Sequence, residues 1–238
     1  MRFLNYNIQA GIGTRNLRDY LLRAHHQLTQ TKVKSATLAS IAQLIAEYDI
    51  VCLQEVDLGG WRSGFQNQAA TLQKMSGLPH MITQTNRVIG KFSLHGNAIL
   101  SKHKIELLAD TKLPGKVKGR GLLIGRIDGL VIANTHLSLG LKDQNLQFAA
   151  IAEQLRAYDQ VIFSGDLNCK PASPHFTDFR ELTQLRLHTH HHHPTFPSWK
   201  PRHALDHILA TQELTISDCR PLQHALSDHL PVEALLKI

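Results

Sequence analysis

The stretch Gly121-Leu122-Leu123-Ile124-Gly125-Arg126-Ile127-Asp128-Gly129-Leu130-Val131-Ile132-Ala133-Asn134-Thr135-His136 reads as two apolar strands, 122–127 and 130–135, joined by Asp-Gly. Both residues of such a link tolerate positive φ, the requirement of a two-residue hairpin turn. A hairpin makes its strands antiparallel neighbours, whereas a parallel sheet needs a crossover between every pair. Further β-like runs surround it, at Met81–Thr85, Asn97–Ser101 and Ile105–Asp110. A doubly wound parallel sheet is therefore disfavoured.

Outward from this centre, helices alternate with strands. Leu38, Ile41, Ala42, Ile45 and Tyr48 recur with helical period between Ser35 and Tyr48, and Ser35 is placed to cap the start. A second helix is expected over 67–76, stopped by Gly77 and Pro79, and a third over 143–158 through Phe148, Ile151, Ala152 and Leu155. Strands are expected at Arg2–Ile8, Ile50–Leu53, Val161–Ser164, Leu205–Ala210 and Leu230–Leu236, with polar turns between the last two. The pattern predicts an α/β sandwich, two mostly antiparallel sheets packed face to face with helices outside.

The 238 residues are 42% apolar, enough for a substantial core, and no Pro/Gly/Ser-rich linker divides them, so one domain over 1–238 is expected. The N-terminus turns polar too early for a secretory segment, and no apolar run is long enough to cross a membrane. A soluble, cytoplasmic chain with no transmembrane segment and no obligate protein partner is the expectation. Cys52, Cys169 and Cys219 are odd in number and far apart, against a disulfide framework or a cysteine-rich zinc site. Cys52, inside Ile50-Val51-Cys52-Leu53, reads as a small buried residue. A formal charge of +7 attracts anions without choosing among nucleic acid, lipid and phosphorylated small molecules. Its local excess, Lys112, Lys116, Lys118 and Arg120, reads as a solvated loop before it reads as a phosphate contact.

Polar residues capable of chemistry gather where strands end. Glu55 follows an apolar strand, where a carboxylate can be held rigidly for a hard cation. In Ser164-Gly165-Asp166-Leu167-Asn168, Gly165 permits a tight exit and sets a carboxylate beside a carboxamide, suited to orienting water and holding a phosphoryl group. The alternative is an Asx-turn that merely closes the strand. His136 ends its strand, either as a donor to a phosphoryl oxygen or satisfied by a backbone carbonyl. Asp228-His229 is best suited to acid/base work, because imidazole titrates near neutral pH. Asp206, at another strand, is the candidate to orient His229, while its neighbour His207 points to the opposite face and into the core.

In order, Asn7, Gln54-Glu55, Gly96-Asn97-Ala98-Ile99-Leu100-Ser101, Thr135-His136-Leu137, Gly165-Asp166-Leu167-Asn168, Leu205-Asp206-His207-Ile208 and Ser227-Asp228-His229-Leu230-Pro231 resemble the blocks of the endonuclease/exonuclease/phosphatase superfamily. The resemblance runs from Arg2 to about Leu236 and takes in enzymes like exonuclease III, sphingomyelinases and inositol phosphatases. It implies a four-layer α/β sandwich hydrolysing phosphoesters with Mg²⁺ or Mn²⁺. On that pattern Glu55 looks like the principal metal ligand, with Asn7 beside it and Asp228 at the metal centre directly or through water. Asp166 and Asn168 resemble the pair that positions water and contacts phosphate, His229 the general base, Asp206 its partner and His136 the phosphate-stabilising imidazole. Asn97 joins Asn168 and His136 as an expected substrate contact, and Arg62 reads equally as a phosphate contact or as a surface arginine held by a nearby acid.

The substrate is less constrained than the reaction. Asn7-Ile8-Gln9-Ala10-Gly11 departs from the Trp-Asn-x-Asn-Gly-x-Arg pattern of exonuclease III-like repair enzymes, against an abasic-site nuclease. Gly60-Trp61-Arg62-Ser63-Gly64-Phe65-Gln66-Asn67-Gln68 instead resembles the Arg-Ser-Gly and Gln stretch of a less characterised bacterial branch of the superfamily. The leading expectation is a metal-dependent phosphoesterase acting on a small or lipid-derived phosphodiester or phosphomonoester. A DNA nuclease is the alternative, whose binding should weaken steeply with salt. A non-catalytic binding module stands third. His190–His193, with His188 nearby, cannot converge on one ion in regular structure and reads as a solvated loop or incidental metal-binding surface. Phe196 and Trp199 read as packing beneath a loop before stacking on a base.

Overall fold

The computed structural model describes residues 1–14, 16, 19 and 31–237. Strands are β1 (Arg2–Asn7), β2 (Ile50–Asp57), β3 (His80–Ile89), β4 (Ser93–Ser101), β5 (Glu106–Lys112), β6 (Gly121–Ile127), β7 (Leu130–His136), β8 (Val161–Asp166), β9 (Arg186–Leu187), β10 (Asp206–Ala210), β11 (Thr215–Pro221) and β12 (Val232–Lys237). Among the described residues the α-helices are α1 (Lys32–Ile45), α2 (Gln68–Ser76), α3 (Leu141–Leu155) and α4 (Pro174–Thr183). The strands form two six-stranded sheets, ordered β11-β12-β1-β2-β4-β3 and β5-β6-β7-β8-β10-β9. Only β1–β2 and β7–β8 pair in parallel among these neighbours. None of the described helices is long and apolar enough to cross a membrane.

The Asp-Gly link is the expected hairpin, with Asp128 at φ 49° and Gly129 at φ 84°, and Ile127 pairs with Leu130. Strand period then assigns each face. Phe3, Ile50, Cys52 and Ile99 meet Leu123, Ile132, Ile162 and Ile208 between the sheets. The alternate residues Leu4, Tyr6, Val51 and Leu53 turn to Leu38, Ile41 and Ile45 of α1 and to Ala69 and Leu72 of α2. On the far side Leu122, Ile124 and Phe163 pack against Phe148 and Ile151 of α3 and Phe176 and Phe179 of α4. Four layers follow from that alternation. Burial pushes the Cys52 thiol up to about 12, consistent with an inert core residue.

Several boundaries differ from the sequence expectation. Helix α1 begins at Lys32, and Thr31 rather than Ser35 is its cap, accepting from the Lys34 N–H. Asn67 caps α2 by accepting from the Ala70 N–H, and Gly77 ends it in the left-handed region. Helix α4 was not expected because only Phe176 and Phe179 are buried along it, too few to show a period. Edge strand β11 is half-exposed and interrupted by a register shift between Ser217 and Arg220, so its apolar alternation is weak.

Gly165 fixes where β8 stops. Its φ is 157°, and a Cβ there would lie 2.0 Å from the Thr135 carbonyl oxygen on parallel neighbour β7. Gly165→Ala is expected to cost more than about 2 kcal/mol, because a strained φ and a backbone clash coincide. Urea titration measures it, and a loss below half that value would show that β7 and β8 separate easily.

Candidate active site

Strand ends of both sheets meet at one end of the sandwich, and the interior changes character on the way there. Above the apolar layer, Gln54 Nε2 donates to Asn5 Oδ1 at 2.8 Å and to Asn134 Oδ1 at 2.7 Å, bridging the sheets. Asn134 Nδ2 in turn donates to the Leu53 and Ala98 carbonyls. This amide floor pairs most of its own buried polar atoms, although Asn5 Nδ2 and Gln54 Oε1 find no partner among the described residues. Carboxylates and imidazoles lie above it.

Glu55 is not beyond the end of β2, as the sequence suggests, but within it. The β2–β4 register shifts between Leu53 and Val56, and Glu55 sits at φ 54° in that irregularity. A bulge re-aims a side chain that regular alternation would place elsewhere. Asn7 Nδ2 donates to Glu55 Oε1 at 3.1 Å and to Asp166 Oδ2 at 3.0 Å, tying β1, β2 and β8 together. As placed, Asn7 therefore offers its nitrogen to the carboxylates, and its Oδ1 accepts from the Gln9 N–H at 3.1 Å.

Asp166 is the hub. His136 Nε2 lies 3.5 Å and His229 Nε2 3.6 Å from its Oδ2. His229 Nδ1 meets Asp206 Oδ2 at 2.8 Å, and Thr195 Oγ1 donates to the same oxygen at 2.5 Å. The Phe196 ring packs against His229, 4.9 Å between centroids, so this aromatic buttresses the imidazole rather than waiting for a base. Asn168, at φ 51°, donates from Nδ2 to the Leu137 carbonyl at 2.9 Å, and its N–H caps Asp166 Oδ1 at 3.1 Å. An Asx-type turn and a position at the site thus coexist. Asp228 accepts from Gln9 Nε2 at 2.9 Å and from Ser227 Oγ at 3.1 Å.

Electrostatics separate the groups. Burial pushes the Asp166 carboxyl up to about 7, with His229 opposing and the Asp206 charge adding to it. Burial likewise pushes Asp228 up to about 6, again opposed by His229 and reinforced by Glu55. Burial alone would lower His229, but the carboxylates of Asp206, Asp166 and Asp228 outweigh it and hold the imidazole well above its usual range. Burial, reinforced by the Arg120 cation, drives His136 well below that range. The two imidazoles are thus pushed in opposite directions across a single carboxylate, the kind of divergence that separates acid and base roles.

The sequence model of the Endonuclease/Exonuclease/phosphatase family matches residues 4–229. The chain belongs to that family. Its members are hydrolases acting on phosphoesters. Solved structures share the fold at low identity. An endonuclease/exonuclease/phosphatase from Beutenbergia cavernae DSM 12333 is 20% identical with a TM-score of 0.76, over 100% of this chain and 71% of that one. A mannosyl-6-phosphatase from Bacteroides thetaiotaomicron VPI-5482 is 14% identical with a TM-score of 0.71, over 100% of both chains. The human Nocturnin catalytic domain is 18% identical with a TM-score of 0.68, over 100% of this chain and 94% of that one. No curated protein matches the sequence.

Asn7, Glu55, His136, Asp166, Asn168, Asp206, Asp228 and His229 come from six segments into this one centre. Asn97 lies beside it, donating to Gln84 Oε1 at 3.2 Å, and borders an adjoining cleft. Arg62 is buried rather than at the surface, and its Nε is held by Asp57, so its guanidinium organises the 57–63 loop instead of reaching a phosphate. Asp57 also accepts from the Gly59 and Gly60 N–H groups and from Ser63 Oγ. His207 is in the core, bonded to Thr189 Oγ1 at 2.8 Å and to the Cys169 carbonyl at 2.8 Å. His190, His191 and His192 are exposed, with His190 stacked on His192 and His191 edge-on to His192. Arg120 and His95 were not expected at the site. Arg120 immediately precedes β6, the same strand-end position as the other site residues, but the lysines around it read as a solvated loop.

Proposed function

We propose that this chain is a divalent-metal-dependent phosphoesterase that hydrolyses a phosphodiester or phosphomonoester by in-line attack of a water deprotonated by His229. The observation carrying this reading is the Asp206–His229 hydrogen bond of 2.8 Å, with the other ring nitrogen turned 3.6 Å from Asp166 at the hub. Asp206 accepts at Nδ1 and so fixes the tautomer that leaves Nε2 to take a proton from water. Neutral His136 and the remaining amide hydrogen of Asn168 are donors for non-bridging oxygens as charge grows in the transition state.

The residues suit a hard cation such as Mg²⁺ or Mn²⁺. Among the described residues Glu55, Asp166, Asp206 and Asp228 converge without an ion pair to any lysine or arginine, an excess of negative charge at an oxygen-rich site. Asp166, Asp206 and His229 bring potential ligand atoms within 4.8 Å of one another, but a cation there would compete with the Asp206–His229 bond. Glu55, whose side chain is 30% exposed, with Asp228 and Asn7 turned to present its oxygen, is the preferred holder. When bound there, the ion would offset these carboxylates and polarise a phosphoryl oxygen.

Hydrolysis of bis(p-nitrophenyl) phosphate and p-nitrophenyl phosphate with Mg²⁺ or Mn²⁺, repeated with EDTA, tests the reading. Turnover that chelator abolishes is expected. Absence of turnover on both esters with either ion, or turnover indifferent to EDTA, would overturn it.

A further inference from the structure

Beside the candidate centre, and sharing Glu55 and His136 with it, lies a cleft of about 150 Å³ between the ends of β3, β4 and β6. Its other walls carry Arg87, His95, Lys118 and Arg120 together with the amides of Asn86 and Asn97. None of these side chains serves the chemistry described above. Arg87, Lys118 and Arg120 also form no ion pair among the described residues, although Arg120 is near enough to Glu55 and Asp166 to feel both charges. A half-buried guanidinium without a fixed partner is costly to hold unless a ligand supplies the counter-charge.

Two further observations point to a ligand. Asn97 is 1% exposed, yet its Oδ1 has no hydrogen-bond partner, and Asn86 Oδ1 is equally unpartnered. Buried acceptors left unmatched cost about 1–3 kcal/mol each, and a hydroxyl donor would satisfy them. His95 adds a donor. Arg62 Nη2 lies 3.1 Å from His95 Nδ1, and because arginine only donates, Nδ1 must accept and Nε2 must carry the hydrogen. Arg62 thereby acts on the cleft through His95 rather than by touching a phosphate.

The cleft is also preorganised. The 113–120 strap is fastened to α3, its Lys116 and Val117 N–H groups donating to the Asp143 carboxylate at 3.0 and 3.1 Å and its Pro114 carbonyl accepting from Gln147. Gly119, at φ 97°, lets the strap press against the Arg87 side chain, since a Cβ there would lie 2.5 Å from Arg87 Cβ. The backbone that carries Lys118 and Arg120 is therefore set against Arg87 before any ligand arrives.

We infer that this cleft is a second anion subsite, receiving a non-scissile anionic group of a small hydroxyl-bearing substrate whose scissile phosphoester lies at Glu55, Asp166 and His229. The inference rests on the phosphoester reading only for the occupant of the neighbouring centre. It makes a bisphosphorylated or otherwise doubly anionic small molecule the preferred substrate class, because two-point engagement raises affinity beyond either contact alone.

The test is calorimetric binding in the His229→Ala background with Mg²⁺ present, comparing fructose 1,6-bisphosphate with fructose 6-phosphate. The bisphosphate is expected to bind at least ~10-fold more tightly, a floor beneath the ~10²–10⁴ gain of a fully linked second contact. That preference should shrink severalfold in Arg87→Gln/Lys118→Gln, and in Arg120→Gln, each keeping the side-chain stem. Lys102→Gln/Arg126→Gln removes the same charge as the double variant at the opposite end of the sheets and should leave the preference intact. Equal affinity for the two sugars, survival of the preference in both cleft variants, or an equal loss in the distal control would overturn the subsite. So would a thymidine trinucleotide that outcompetes the bisphosphate through the same cleft residues, which would assign the cations to a nucleic-acid backbone. Because binding is read without turnover, the preference can stand or fall separately from the aryl ester assay.

Discussion

His229→Ala is expected to lower turnover of an aryl phosphodiester by ~10² or more, the scale of a lost general base. The ring is buried, and its partners among the described residues have a part in the chemistry or its support: Asp206 at 2.8 Å, Asp166 at 3.6 Å and the Phe196 ring. Turnover comparable with that of the unaltered protein, in a variant whose thermal unfolding remains cooperative, would remove His229 from the mechanism. Asp206→Asn separates positioning from packing. Among the forces on His229 the Asp206 carboxylate is the strongest that raises its proton affinity, against the lowering effect of burial. The base works when deprotonated, so the rate climbs as pH rises through the pKa of His229. Removing the Asp206 charge lowers that pKa, and the acid limb of the pH–rate profile should move to lower pH while the plateau falls. A plateau loss with an unmoved limb would make Asp206 a packing residue only.

The sandwich was legible because its deciding signals are local. Asp128-Gly129 sets an antiparallel pair within two residues, and the 3.6 and 2.0 periods mark α1, α3 and the central strands. What period could not show is where an irregular backbone redirects a side chain. Glu55 was recognisable as a carboxylate near a strand end, but the bulge that turns it toward Asn7 has no signature in Leu53-Gln54-Glu55-Val56. Arg62 illustrates the opposite difficulty. An arginine in a Gly-rich loop reads equally as a phosphate contact or as held by a nearby acid, and only the structure shows that Asp57, five residues earlier, captures it and that the pair is buried. Arg120 was hidden by its neighbours, because a basic run is solvated more often than not and only the Asp143 anchor of the strap reveals that one member faces inward. Residues whose role depends on one strand's direction were readable. Those whose role depends on which distant group claims them first were not.

Glu55→Gln should act on metal dependence before anything else. The substitution keeps shape and removes one charge, so Asn7 loses only a stronger acceptor and the amide floor beneath is untouched. The half-saturating Mg²⁺ concentration for aryl ester hydrolysis is expected to rise by at least the ~10–100-fold that loss of even an outer-shell partner costs. An unchanged Mg²⁺ titration would remove Glu55 from the metal site. The same titration in Asp206→Asn decides between the two places a cation could sit. If the ion is held at Glu55 and Asp228, Asp206→Asn changes rate and pH profile but moves half-saturation little. If it is held instead within the 4.8 Å cluster of Asp166, Asp206 and His229, Asp206→Asn becomes the larger of the two shifts. In that case His229 is occupied by metal ligation and cannot take a proton from water, so the ordering of these two titrations bears on the base as directly as on the ion.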